Sequence, residues 1–135
     1  MKRLLFFALF LVQTLLDANE YAIISNRDID EMSVGQIKAL YLKKTSYIGN
    51  KKIIPINLSS RNSIRMSFEK SVLHMSFTRL KTYWTKQHYL GHRPPITMKS
   101  QKSVQAFIKK VDGAIGYIEL KNLDDSMKII YRWSD

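Results

Sequence analysis

Five consecutive residues near the middle of the chain all carry side-chain hydrogen-bond donors suited to an anion. They are Ser59, Ser60, Arg61, Asn62 and Ser63, called the donor loop below. Hydroxyl, amide and guanidinium groups donate to oxyanions, and a guanidinium can hold one through two parallel bonds. These residue types predict a site for phosphate or a similar anion. The simpler alternative is that Ser60 or Asn62 only caps a helix and that Arg61 is solvated.

The elements around the donor loop place it at the start of a helix. Residues 53–56 form an apolar run of buried-strand length, and apolar residues recur at helical spacing from Ile64 to Leu73. The first turn of a helix has free N–H groups and the positive end of the helix dipole, so it attracts anions. Pro55 cannot donate a hydrogen bond, so we expect its strand to lie at a sheet edge or to be irregular near its end.

A second polar turn follows the first predicted strand, Glu20–Ser25. Ligands of open α/β sheets bind at the carboxyl ends of strands, so Ser25 and Asn26 join the candidate anion site. Ser33 then opens a helix, and Gln36, three residues later, completes a capping box.

Strands and helices alternate through the rest of the chain. A helix from Ser76 or Thr78 carries an aromatic face that is typical of a core. The alternative is a platform on which nucleic-acid bases stack. Residues 91–95 then form a stiff linker. The later elements are a short strand at 96–98, a helix from about 100 to 111 and strands at 114–119 and 127–131. The order, approximately βαβααβαββ, predicts an α/β fold with a mostly parallel sheet flanked by helices.

The N-terminus has the pattern of an export signal. Lys2 and Arg3 precede an apolar segment from Leu4 to Leu16 that is too short to span a bilayer comfortably. We expect residues 1–18 to be a cleaved signal peptide and residues 19–135 to form a single domain, with an uncleaved anchor as the alternative. The mature protein would reside in a bacterial periplasm, without stable membrane insertion.

Positive charge is concentrated in the middle of the chain. The formal net charge is +11, and residues 19–135 keep 20 basic and 10 acidic side chains, because two bases and one acid lie in 1–18. Between Met32 and Val111 the only acid is Glu69, against sixteen Lys and Arg. Such a field draws small oxyanions and acidic macromolecules, whereas a purely solubilising surface is the alternative. An exported protein rarely meets nucleic acid, so we expect no nucleic-acid partner.

Several kinds of chemistry lack the residues they need. Cysteine is absent, which excludes disulfides and thiolate metal sites. His74, His88 and His92 have no tight ligand spacing, so we expect neither a metal nor a cofactor. The chain has no nucleophile motif and no paired carboxylates in helical register, so we expect a binding protein rather than an enzyme.

The order and spacing of the segments resemble a known family. The most specific pieces are Trp84 followed by residues 91–95, GHRPP, and residues 111–117, VDGAIGY. They resemble the phosphate-type periplasmic substrate-binding proteins of ABC transporters, in particular their small single-domain relatives. The resemblance implies a periplasmic-binding-protein-like fold and an anion held by Ser25, Asn26 and the donor loop. It also implies an ABC transporter permease or a sensor as partner.

The chain departs from that family in three ways. Larger members carry a Ser-Gly-Ser-Gly-Thr-like loop at the second site, whereas the donor loop contains no glycine. Larger members have two lobes that close on the ligand, and this chain has room for little more than one. No acid stands in the candidate site to accept a proton from phosphate. The alternative function is therefore a basic periplasmic protein that keeps the scaffold and binds an acidic macromolecule.

Overall fold

A computed structural model describes residues 19–135, and the predicted signal peptide lies outside them. The first half contains β1 (Glu20–Ser25), α1 (Val34–Tyr41), β2 (Tyr47–Ile48), β3 (Lys51–Lys52), β4 (Ile54–Leu58) and α2 (Ser63–Phe68). The second half contains α3 (Phe77–Tyr89), β5 (Ile96–Met98), α4 (Gln101–Lys110), β6 (Ala114–Glu119) and β7 (Lys128–Ser134). Five strands form the main sheet in the spatial order β5-β4-β6-β1-β7, and β2 and β3 form a separate hairpin.

Four strands of the main sheet run in the same direction, and only β1 is reversed. β4 is parallel to both β5 and β6, whereas β1 is antiparallel to β6 on one side and to β7 on the other. The predicted α/β fold with a mostly parallel sheet is confirmed. Because β1 is reversed, its carboxyl end and that of β4 lie at opposite edges of the sheet.

β4 is an interior strand, so the edge position, one of the two expectations for the strand of Pro55, is wrong. Ile54 donates its N–H to the Gly113 carbonyl on the β6 side, at 2.9 Å. Successive residues direct their amides to opposite sides of a strand, so the Pro55 nitrogen faces the β5 side. β5 pairs only with Ile56 to Leu58. Pro55 therefore removes no hydrogen bond from the sheet.

Helices cover both faces of the sheet. Phe68 of α2 stacks on Tyr117 of β6, with ring centroids 4.2 Å apart. The neighbouring Gly116 points to the other face, where a Cβ would lie 2.5 Å from Cγ1 of Val104 in α4. Glycine at this position lets α4 pack directly against the strand. α2 and α4 therefore lie on opposite faces of β6.

Short polar side chains begin the helices near the predicted positions. Ser33 and Gln36 form the capping box of α1, as predicted. Asn62 caps α2, and Ser76 and Ser100 cap α3 and α4. These caps satisfy N–H groups that would otherwise lack acceptors, which fixes where each helix starts.

Candidate anion-binding site

The reversal of β1 divides the predicted anion site between two edges of the sheet. Ser25 pairs with Ile115, and on the other side of β6 Ile115 pairs with Pro55, near the start of β4. Ser59 follows the other end of β4. It lies four residues after Pro55, which corresponds to roughly 13 Å along the strand at about 3.3 Å per residue. The prediction that Ser25 and Asn26 hold the same anion as the donor loop is therefore wrong.

Ser25 and Asn26 instead stabilise the turn that ends β1. The buried Ser25 donates through Oγ to the Asn26 carbonyl at 2.6 Å. The Asn26 side chain donates to Asp112 Oδ1 at 3.3 Å and accepts from the Asp28 N–H at 3.4 Å. The Asp112 carboxylate would repel an anion at this turn.

The donor loop exposes three of its five predicted side chains. Ser60, Arg61 and Ser63 are exposed, and within residues 19–135 their side chains form no hydrogen bond or ion pair. Ser59 is held to β5, because its N–H and Oγ both donate to the Met98 carbonyl, at 3.1 and 3.4 Å. Three donors are thus free to meet a ligand, while Ser59 has a structural partner.

Asn62 caps the helix that follows, as the simpler interpretation predicted. Its Oδ1 accepts from the Ile64 N–H at 2.9 Å, and its carbonyl accepts from the Met66 N–H at 3.2 Å. Within the described part of the chain, the N–H groups of Ser63 and Arg65 have no acceptor. Capping by Asn62 therefore leaves two backbone donors at the helix start.

α2 belongs to a longer helical segment. It passes without a break into a π-helical turn, Glu69–Leu73, and His74 ends the segment in the left-handed conformation, with φ 52°. π-helical turns occur frequently at functional sites. The dipole of the joined segment directs its positive end at the donor loop.

Two side chains fix the end of β4 directly before the donor loop. The Tyr117 hydroxyl accepts from the Leu58 N–H at 3.1 Å and donates to Asn57 Oδ1 at 2.7 Å. The Arg65 guanidinium donates to the Leu58 carbonyl at 3.0 Å and pairs with Glu69 at 3.3 Å. Both backbone polar groups of Leu58 are held by side chains, so the loop starts from a fixed point.

Sequence reasoning missed this support, although part of its signal was visible. Arg65 and Glu69 are opposite charges four residues apart on a helix, a spacing that predicts an ion pair. The pair neutralises Glu69, the acid closest in sequence to the donor loop. Burial raises the pKa of the Tyr117 hydroxyl well above its ordinary range, so the hydroxyl stays protonated and keeps its donor role.

A groove of about 830 Å³ opens beside the donor loop. Ser60 and Ser63 line it together with three apolar side chains, Met66, Met75 and Phe77. Met66 and Phe77 expose 60% and 70% of their surface, whereas Met75 is buried. Pockets for small molecules have volumes of about 300–1,000 Å³, and this groove lies in that range.

Residues 19–135 hold neither a cluster of metal ligands nor a membrane-spanning helix. In this range no three His, Asp or Glu side chains cluster so that they could hold a metal ion. Nor does any helix of the range have the length and apolar character needed to cross a bilayer.

Three solved structures share this fold at low sequence identity. An ABC-type phosphate transport receptor from Vibrio cholerae has a TM-score of 0.65 and 16% identity, with 83% of this chain and 45% of that chain covered. A phosphate ABC transporter substrate-binding protein from Clostridium perfringens was solved with bound phosphate. It has a TM-score of 0.67 and 16% identity, with 84% of this chain and 45% of that chain covered. PstS from Borrelia burgdorferi has a TM-score of 0.61 and 18% identity, with 84% of this chain and 47% of that chain covered.

The chain spans less than half the length of these three structures. No protein-family model and no curated protein matches it. The fold is therefore similar to that of phosphate-type substrate-binding proteins, and the resemblance read from the sequence is confirmed at the level of the fold.

Proposed function

We propose that this protein binds phosphate or a similar oxyanion at the donor loop. The proposal is carried by three exposed donors at the positive end of a helical segment that have no side-chain partner within residues 19–135, namely Ser60, Arg61 and Ser63. The likeness to phosphate receptors, one of them with bound phosphate, supports the same function.

Each free group can contribute to holding a tetrahedral anion. Arg61 supplies two parallel charge-assisted bonds, the serine hydroxyls supply neutral ones, and the Ser63 N–H adds a donor fixed by the helix. Charge-assisted bonds contribute about 1.5–3 kcal/mol each, against an association cost of at least about 4 kcal/mol. Two such bonds from Arg61 and three neutral ones total roughly 4.5–10.5 kcal/mol, so after the association cost we expect a Kd no tighter than about 10 µM.

The physiological role follows from this binding chemistry. An exported anion binder would deliver its ligand to an ABC transporter permease or report its concentration to a sensor. Capture and release make and break no covalent bond, so the role requires no catalysis. The central basic region, with sixteen Lys and Arg against Glu69, would raise the local concentration of anions.

Isothermal titration calorimetry at low salt tests the proposal with inorganic phosphate and sulfate. Arg61→Ala should weaken binding at least tenfold, because it removes the only guanidinium of the donor loop. Arg93→Ala is the matched control, since Arg93 is also exposed but precedes β5 at the other edge of the sheet. Absence of heat in the wild type, or equal affinities in the two variants, would contradict the proposal.

A second candidate function is favoured by the surface of α3. Arg79, Lys81 and Lys86 are exposed on this helix, which contains no acid. An exposed basic helix of this kind suits an acidic protein or an acidic envelope polymer. Replacing the three bases by Gln should abolish salt-sensitive capture of an acidic polymer while leaving the heat of phosphate binding unchanged. Capture of the polymer that is unchanged in this variant would contradict the second function and leave the anion site alone.

A further inference from the structure

The groove beside the donor loop is larger and more apolar than an inorganic anion requires. Its end at Ser60 and Ser63 offers hydroxyl donors next to the helix start. The other polar side chains of the lining that carry no acidic group are Ser67, Lys70, His74 and Ser76. Met66, Met75 and Phe77 supply thioether and phenyl surface, which cannot hydrogen-bond to phosphate. The two parts of the cavity therefore suit two different parts of one ligand.

We propose that the groove takes the apolar part of an organic oxyanion, such as a phosphonate, a phosphate monoester or a sulfonate. The charged end would lie on the donor loop, so the inference rests on the function proposed above and specifies its ligand class.

The register of α2 connects the two parts of the site. Met66 follows Ser63 by three residues, so their side chains share one face of the helix. A ligand whose oxyanion meets Ser63 therefore has thioether surface directly beside it. Phe77, the first residue of α3, supplies a second apolar surface to the same groove. Methionine adapts its shape to a bound group and contacts aromatic rings favourably.

The charged side chains that line the groove have both signs. Glu69 is paired with Arg65, and Asp135 Oδ1 accepts from the Tyr21 hydroxyl at 3.3 Å. Lys70, which also lines the groove, is exposed and forms no ion pair within residues 19–135. These charges therefore do not select the tail, and its apolar character is inferred from the thioether and phenyl surface alone.

Calorimetry with methylphosphonate and phenylphosphonate at low salt tests the inference. The two probes share the oxyanion and differ in the apolar group. Burial of about 60 Å² of ring surface, at about 25 cal/mol per Å², corresponds to roughly tenfold tighter binding of phenylphosphonate. In Met66→Ala/Phe77→Ala the preference should fall below about threefold, while the affinity for methylphosphonate stays within about twofold.

A matched control removes an exposed aromatic ring elsewhere. Tyr89, which is 85% exposed at the other end of α3, does not line the groove. Tyr89→Ala should keep the tenfold preference. The double variant should fold normally because both of its replaced side chains, Met66 and Phe77, are largely exposed.

Three results would overturn the inference, and they separate it from the proposed function. Equal affinities for the two phosphonates would refute the groove and leave the donor loop as the anion site. No heat with any anion, phosphate included, would refute both. A wild-type dimer in sedimentation that becomes monomeric in Met66→Ala/Phe77→Ala would show that a second copy of the chain covers the groove.

Discussion

Removal of the Tyr117 hydroxyl should destabilise the protein and loosen the donor loop. Tyr117→Phe keeps the ring that stacks on Phe68 and deletes a single oxygen. That oxygen accepts from the Leu58 N–H at 3.1 Å and donates to Asn57 Oδ1 at 2.7 Å. Tyr117 and Leu58 are fully buried, and Asn57 is 8% exposed, so solvent cannot replace both bonds.

The loss in the free energy of unfolding can be estimated from these two bonds. A neutral hydrogen bond contributes about 1 kcal/mol net, and a buried donor left without an acceptor costs about 1–3 kcal/mol. The Leu58 N–H would become such a donor, whereas the Asn57 amide keeps some contact with water. We therefore expect the free energy of unfolding to fall by about 2–3 kcal/mol.

Urea unfolding followed by tryptophan fluorescence measures the change. Tyr117→Phe should lower the midpoint without altering the slope, since the surface exposed on unfolding is the same. Tyr131→Phe is the control, because Tyr131 is partly buried and its hydroxyl has no hydrogen bond within residues 19–135. A Tyr117→Phe value within about 0.5 kcal/mol of the wild type would refute the idea that this hydroxyl holds the end of β4.

Two further perturbations test the structure away from the site. Lys43 adopts the left-handed conformation after α1, with φ 59°, where glycine is favoured. Lys43→Gly should therefore raise the free energy of unfolding by about 1 kcal/mol in urea, whereas Lys44→Gly should not. The hydrogen bond from Lys109 lowers the pKa of Asp124 below its ordinary value of 3.8, so Asp124 stabilises the fold above that pH and loses this effect on acidification. In thermal melts, Asp124→Asn should be less stable than the wild type at pH 7, and a difference that does not narrow below about pH 4 would contradict this assignment.

The local elements could be predicted from the sequence because their causes are local. The Ser33 and Gln36 capping box acts over three residues, and the helical spacing that begins at Ile64 ends near His74, where the structure ends the segment. A glycine inside a strand often marks the close approach of another element, and Gly116 meets α4 in this way. The spacing of apolar residues and the capping of helices depend on residues that are close in sequence. Predictions based on them therefore agree with the folded structure.

Strand direction could not be predicted in this way. The apolar run of β1 looks the same whether the strand is parallel or antiparallel to its neighbours. Its direction is decided by pairing with β6 and β7, which lie far away in sequence. Alternating strands and helices usually form parallel strand pairs, so we expected β1 to be parallel to its neighbours. This general rule does not hold for β1, and it placed Ser25 and Asn26 at the wrong edge of the sheet.

The occupancy of the donor loop depended on distant partners as well. Ser59 donates to Met98, a residue 39 positions away, and Tyr117 reaches Leu58 across 59 positions. No periodic pattern in the sequence indicates either of these contacts. The five polar side chains of the loop were therefore found by residue type, while their division into three free side chains, one bonded donor (Ser59) and one helix cap (Asn62) required the structure.

The reversal of β1 also bears on which ligand this protein can hold. Because Ser25 and Asn26 lie at the other edge, an anion bound as proposed at the donor loop would be contacted from one side only. A few bonds to Arg61 and two serines leave little free energy after the association cost of at least about 4 kcal/mol. Apolar contact with Met66 and Phe77 would add affinity without further donors, since burial of apolar surface is favourable by itself. The affinity ratio of phenylphosphonate to methylphosphonate thus measures how far the groove compensates for the missing side of the site.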